Sequence, residues 1–166
     1  AIPGVILAVA FITFIAWFDN TVVNFFGIKT IKSIFIGSIV GLVSVYFVRF
    51  YSLACNGIKS GYLKINYSID ESAYLLGYSK FKTFKNIHFP YLRNSLLLIG
   101  LIIAIEVIKE LPITLIMRPF NFETFATTAY IYASQDLLEA AAAPSLFLIL
   151  TTSVFILITS RYTLRD

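Results

Sequence analysis

Two groups of residues in this 166-residue chain have the types and spacing to do chemistry. The first is Glu71-Ser72-Ala73-Tyr74-Leu75-Leu76-Gly77, followed after nine further residues by Ile87-His88-Phe89-Pro90. A carboxylate, small residues and large apolar residues at fixed spacing suit non-covalent docking. Ala73 and Gly77 allow close packing, Leu76 supplies area to bury, and Glu71 can make a charge-assisted contact or cap its own helix. The second group is Glu106, Lys109, Glu110 and Pro112. Glu106 and Glu110 fall on one helix face at i, i+4, and Lys109 can pair with Glu106 at i, i+3. Neither group is catalytic. No G-x-x-x-x-G-K-[ST] loop is present to cradle phosphates, and Gly57-Ile58-Lys59 lacks the spacing. Nor does the chain carry a nucleophile and base pair or a cofactor motif. Cys55 is the only cysteine, which excludes an internal disulfide and a Cys/His metal cluster. His88, the only histidine, reads as structural or interfacial rather than as a ligand or proton relay.

The elements that must position these residues are membrane helices. Hydrophobic residues make up 58% of the chain and charged ones 13%, and the mean hydropathy is +0.84, outside the range of ordinary soluble domains. A helix needs about 20 residues to cross the ~30 Å hydrocarbon core. The charge-free runs predict four spans, approximately 2–18, 32–50, 93–111 and 140–160. Lys32 and Arg49 snorkel to the interfaces of the second, and the third tolerates the charges after Ile105. Glu106, Lys109 and Glu110 are then three ionisable groups at a membrane helix end, which is costly. They belong either on a translocation path or its gate, or at the outer interface, where Pro112 ends the helix and the side chains reach water. The opening Ala1-Ile2-Pro3-Gly4 has no basic segment or cleavage pattern of a signal peptide, and it predicts a piece of a longer chain.

Between the second and third spans, Arg49, Lys59, Lys64, Lys80, Lys82, Lys85 and Arg93 face only Asp70 and Glu71. By the positive-inside rule, loop 51–92 is cytoplasmic. Four spans return the C-terminus to that side, where Arg161 and Arg165 agree, and they place 19–32 and 112–139 outside. The net charge of +4 is thus a topology signal, and nucleic-acid binding is not needed to explain it. The uncharged run Thr124 to Gln135 is too short to cross, and its Thr, Ser, Phe and Tyr content suits an interfacial or re-entrant helix. Within the basic loop, 70–77 reads as a short helix capped by Ser68 or Asp70, with Ala73, Leu76 and Gly77 on one side. A second stretch, Lys80 to Ile87, leads to Pro90, where the chain turns into the third span.

The loop resembles the E-A-A loop of permease subunits of bacterial ABC importers, whose pattern is E-A-A, three residues, G, nine residues, I-x-L-P. Glu71, Ser72, Ala73, Gly77, Ile87, Phe89 and Pro90 occupy its positions, with Ser72 and Phe89 in place of Ala and Leu. Residues Lys109 to Pro112, Thr114, Leu115, Arg118 to Phe120, Phe122 and Thr124 to Thr127 are similar to a segment of the ferric-iron group of those permeases. The resemblance implies an all-α integral membrane bundle of the type I importer permease fold, matching the end of the second of two membrane halves. It implies a bacterial inner-membrane, multi-pass protein that forms the path for a solute, ferric iron first and thiamine, phosphonate or polyamine as neighbours. The implied partners are a dimer of ATPase subunits docked on the 71–90 loop, a second permease half (fused or separate), a periplasmic or lipid-anchored solute-binding protein, and the bilayer. No cofactor is implied for this chain, since ATP and Mg belong to the ATPase. From the residues alone a second class stays open, an ion-gradient-driven transporter or channel using Glu106 and Glu110.

Overall fold

A computed structural model describes residues 3–26 and 35–163. The expected span starts at Ile2 and Lys32, much of the 19–32 connection, and Arg165 lie outside the described residues. Everything regular among the described residues is helical. The long helices are α1 (Gly4–Phe26), α2 (Ile39–Tyr62), α5 (Phe89–Ile108) and α8 (Leu138–Thr163). Between them lie the short helices α3 (Tyr67–Leu75), α4 (Lys80–Thr83), α6 (Pro112–Met117) and α7 (Phe125–Ser134). Four helical stretches are long and apolar enough to cross a membrane. At 1.5 Å per residue even the 20 residues of α5 extend about 30 Å. Many large apolar side chains point outward, among them Trp17 at 63%, Phe47 at 69% and Leu157 at 65% exposure. Such a surface is costly in water and ordinary against lipid or neighbouring helices. The fold is thus that of an all-α polytopic membrane protein.

The chain divides into two compact units, Ala1–Phe50 with Glu106–Val154, and Tyr51–Ile105 with Phe155–Asp166. In the first, α1, the start of α2 and α6 share a core of Ala8, Ile15, Leu42, Val45, Ile113 and Met117. The 112–139 connection therefore begins with a buried helix, not with exposed loop. Helix α1 runs on to Phe26, past the 2–18 run, because the charge of Asp19 is satisfied where it stands. Asp19, 1% exposed, accepts the backbone amides of Phe35 at 3.1 and 3.2 Å and of Ile36 at 3.2 Å, ahead of α2. Ser38 then caps α2 by accepting the Gly41 amide at 3.0 Å.

In the second unit α2 extends twelve residues beyond the 32–50 run, to Tyr62. Packing on α5 holds this more polar half helical. A Cβ on Gly57 would lie 2.6 Å from Ile99 Cγ1, and one on Gly61 would lie 3.1 Å from Leu92 and 3.2 Å from Ser95. The two glycines let side chains of α5 pack closely against the α2 backbone.

Candidate functional site

Helix α3 starts a turn earlier than the sequence suggests. Its cap is Asn66, whose side chain accepts the Ser68 amide at 3.4 Å, so neither Ser68 nor Asp70 is the cap. Asp70 occupies the first turn, and Glu71 follows one residue further along, exposed. The helix ends in a Schellman motif: Tyr78 N–H donates to Ala73 O at 3.0 Å and Gly77 N–H to Tyr74 O at 3.0 Å. Gly77 takes φ +75°, the left-handed conformation that the motif requires. Six residues from Glu71 to Gly77 therefore set how far the helix runs beyond its carboxylate before it must stop. Ala73 is 2% exposed and packs inward, so it cannot give surface to a partner, whereas Tyr74, Leu75 and Leu76 are 51%, 89% and 76% exposed. Ser72 also serves its own helix, donating to Ser68 O at 2.8 Å.

Beyond the turn, Ser79 caps α4 by accepting the Lys82 amide at 3.4 Å, and Lys82 Nζ lies 4.7 Å from the Tyr78 ring centroid. Phe81 is exposed. The chain does not turn at Pro90. Helix continues from Lys80 through a π-helical turn, Phe84–His88, directly into α5. Pro90 lacks an N–H, and in a regular α-helix its ring would press on the Asn86 carbonyl. The wider turn, in which Phe89 N–H reaches Phe84 O, relieves that conflict. Ile87 is half-buried there and Phe89 exposed.

His88 ties these pieces together. Its Nε2 is 2.7 Å from Asp70 Oδ1 in the first turn of α3, with the side chains 13% and 30% exposed. A carboxylate can only accept, so Nε2 donates to Asp70, while Nδ1 is buried without a hydrogen-bond partner. The ring packs on Tyr62 at the end of α2 and on Phe84, with centroids 5.7 and 6.5 Å apart. Tyr91 Oη donates to Lys64 O at 3.4 Å. The structural reading of His88 is thus the one its contacts support. Asp70 was missed as the partner of His88 and Asn66 as the cap of α3, although the only histidine beside Pro90 was a signal that something would be held there.

The second candidate group lies in the other unit and is arranged differently from its sequence reading. Lys109 Nζ pairs with Glu106 Oε1 at 2.7 Å, at the spacing read from the sequence. Helix α5 ends at Ile108, however, so it does not reach Leu111, and Glu110 shares no helix face with Glu106. Pro112 opens α6 as its first residue instead of closing α5, a position where its missing N–H costs nothing. Glu110 Oε1 accepts the Ile113 amide at 3.5 Å, close against the first turn of α1. Thr114, fully buried, donates to Glu110 O at 2.7 Å and hydrogen-bonds with the Tyr46 hydroxyl of α2. Arg118 pairs with Glu123 and donates to Phe122 O at 3.3 Å. A reciprocal capping box of Thr124 and Thr127 starts α7, with Thr127 Oγ1 donating to Glu123 Oε2 at 3.1 Å. Next to the break is a cavity of about 440 Å³, lined by Tyr46, Val107, Ile108, Glu123 and Thr128 among others. Glu106, Lys109, Glu110 and Pro112 border the same break without lining that cavity. No cluster of three potential metal ligands occurs among the described residues.

These features define a class: a polytopic helical membrane protein with a helical loop that exposes Leu75 and Leu76 and a break between α5 and α6. Over 103 residues, 60% of the chain, it is 35% identical to the ferric transport system permease protein FbpB of Actinobacillus pleuropneumoniae, of which the match spans 15%. It is 33% identical over 104 residues, again 60% of the chain, to a protein named as ferric transport system permease protein FbpB 1 in Haemophilus influenzae, of which it spans 16%. The resemblance to ferric-iron permeases read from the sequence is therefore borne out. No family model and no solved structure matches the chain.

Proposed function

We propose that this chain is part of the permease of an ATP-driven ferric-iron importer in a bacterial inner membrane. It contributes membrane helices to the solute path and a loop that receives the motor. The observation that carries the reading is that the E-A-A spacing coincides with a folded unit: a Schellman-terminated helix with Leu75 and Leu76 uncovered. The excess of Lys and Arg over Asp and Glu between α2 and α5 supports a cytoplasmic loop, with the C-terminus on the same side.

In this account a dimer of ATPase subunits binds ATP and Mg and grips the loop through Glu71, Tyr74, Leu75, Leu76 and Phe81. The anchored helix moves with the ATPase as it closes, and α2 and α5, continuous with the loop, transmit the displacement. Glu106, Lys109, Glu110 and Pro112 border the junction of α5 and α6, and non-helical backbone at membrane depth is tolerated where it is buried in protein or lines an aqueous path. A second permease half completes the path, and a periplasmic or lipid-anchored binding protein delivers the solute. Two carboxylates beside a lysine are too few for a hard trivalent cation, so selectivity resides in delivery.

The test is uptake by the intact permease reconstituted with its ATPase and binding protein, with Fe(III) and thiamine offered in parallel. ATP-dependent accumulation of iron alone is expected. Uptake of thiamine instead would overturn the substrate, and uptake without the ATPase would leave a gradient-driven transporter as the better account.

A further inference from the structure

Around the first turns of α5, the second unit carries two adjoining depressions that share one side chain. One, of about 380 Å³, is lined by Lys64, Pro90, Tyr91, Arg93, Asn94 and Ser95. The other, of about 450 Å³, runs along α5 past Phe89, Arg93, Leu96, Leu97, Gly100 and Leu101. The first is polar and cationic. Lys64 and Arg93 are both exposed, and among the described residues neither takes part in an ion pair. The bond from Tyr91 Oη to Lys64 O holds the segment after α2 beside α5, so the two cations border one pocket. The second depression is apolar apart from Arg93. Gly100 keeps it open, since a Cβ there would meet nothing within 4 Å.

We propose that the two depressions form one site for an anionic phospholipid, with the phosphate between Lys64 and Arg93 and an acyl chain along the α5 groove. The charge argument is specific. Two cations with no carboxylate partner among the described residues line a pocket where the apolar part of a membrane helix begins. A guanidinium matches phosphate oxygens in a bidentate fork, while an ammonium adds a point charge. The order of surfaces, cationic and polar and then apolar through Arg93, is the order of a phospholipid from headgroup to chain. A soluble phosphate would fill the first depression and leave the second unused. Basic pockets at a membrane interface recognise anionic headgroups. The inference needs only that the chain spans a membrane, not that it is driven by ATP or carries iron.

Native mass spectrometry of the intact permease, titrated with phosphatidylglycerol and phosphatidylcholine of identical chains, tests it. The unmodified protein is expected to retain phosphatidylglycerol preferentially. Lys64→Gln and Arg93→Gln should each weaken that retention about fivefold, with phosphatidylcholine unaffected. Gly100→Leu, which has room for its side chain, should fill the groove and weaken phosphatidylglycerol while both cations remain. Equal retention of the two lipids, or an unchanged preference in Lys64→Gln/Arg93→Gln, would overturn the site. Complete displacement of the lipid by inorganic phosphate would overturn the acyl half and with it the lipid assignment. Unaltered helical circular dichroism in each variant separates lost binding from lost folding.

Discussion

Gly77 should be sensitive to backbone preference and not to side-chain size. It sits at φ +75° in the Schellman motif, and a Cβ built there meets no atom within 4 Å. The whole cost of substitution is therefore conformational. An L-residue held in the left-handed region loses about 1–2 kcal/mol, with Asn least affected and β-branched residues most. One kcal/mol is about fivefold in an equilibrium. Gly77→Asn should barely change the closing of the α3 C-terminus, Gly77→Ala should open it about fivefold more often, and Gly77→Val more than that. Hydrogen exchange of the Leu76, Gly77 and Tyr78 amides reads the opening directly. In the reconstituted transporter the same series should progressively separate ATP hydrolysis from uptake, because a frayed α3 yields instead of transmitting force. Equal exchange in the Asn and Val variants would refute the conformational reasoning. Normal coupling in Gly77→Val, despite demonstrated fraying, would refute the role of the helix end in transmission.

Three other perturbations follow from the packing. A double-mutant cycle of Asp70→Ala and His88→Ala should give a coupling of about 1 kcal/mol, below the usual range for a bond to a charged group because the pair is partly exposed; additive effects on α3 exchange would deny the clamp. Gly57→Ala should lower the melting temperature of the purified protein, since overpacking costs about 1–3 kcal/mol. Adding Ile99→Ala, which removes the atoms 2.6 and 2.8 Å from the new Cβ, should restore much of the loss. Asp19→Ala leaves the Phe35 and Ile36 amides without their carboxylate and should destabilise by about 3 kcal/mol, whereas Asp19→Asn, keeping one acceptor oxygen, should cost less in the same thermal assay.

The long helices and the spacing of the loop were legible because both are written locally, as charge-free runs and as fixed intervals. Where the reading departed from the structure, a distant partner or a backbone device had decided the matter. Pro112 reads as a terminator, yet it opens α6, because proline is equally at home as a first helical residue. Pro90 reads as a turn, yet a π-helical turn carries the helix through it. Asp19 reads as the end of a span, but amides sixteen and seventeen residues away absorb its charge. The Tyr46–Thr114 bond, across 68 residues, has no local signature at all. Ala73 was readable as a small residue on a helix, but whether it turned inward or towards a partner depended on what the rest of the unit packs against.

The claim that the loop receives an ATPase is tested most directly by site-specific photo-crosslinking in the intact permease. A photoreactive residue is placed in turn at Leu75, Leu76 and Phe81, which are exposed, and at Ala73 and Thr83, which are 2% and 3% exposed. The account predicts adducts with an ATPase subunit from the three exposed positions and none from the two buried ones. Absence of such adducts from Leu75, Leu76 and Phe81, with the ATPase present and active, would contradict it.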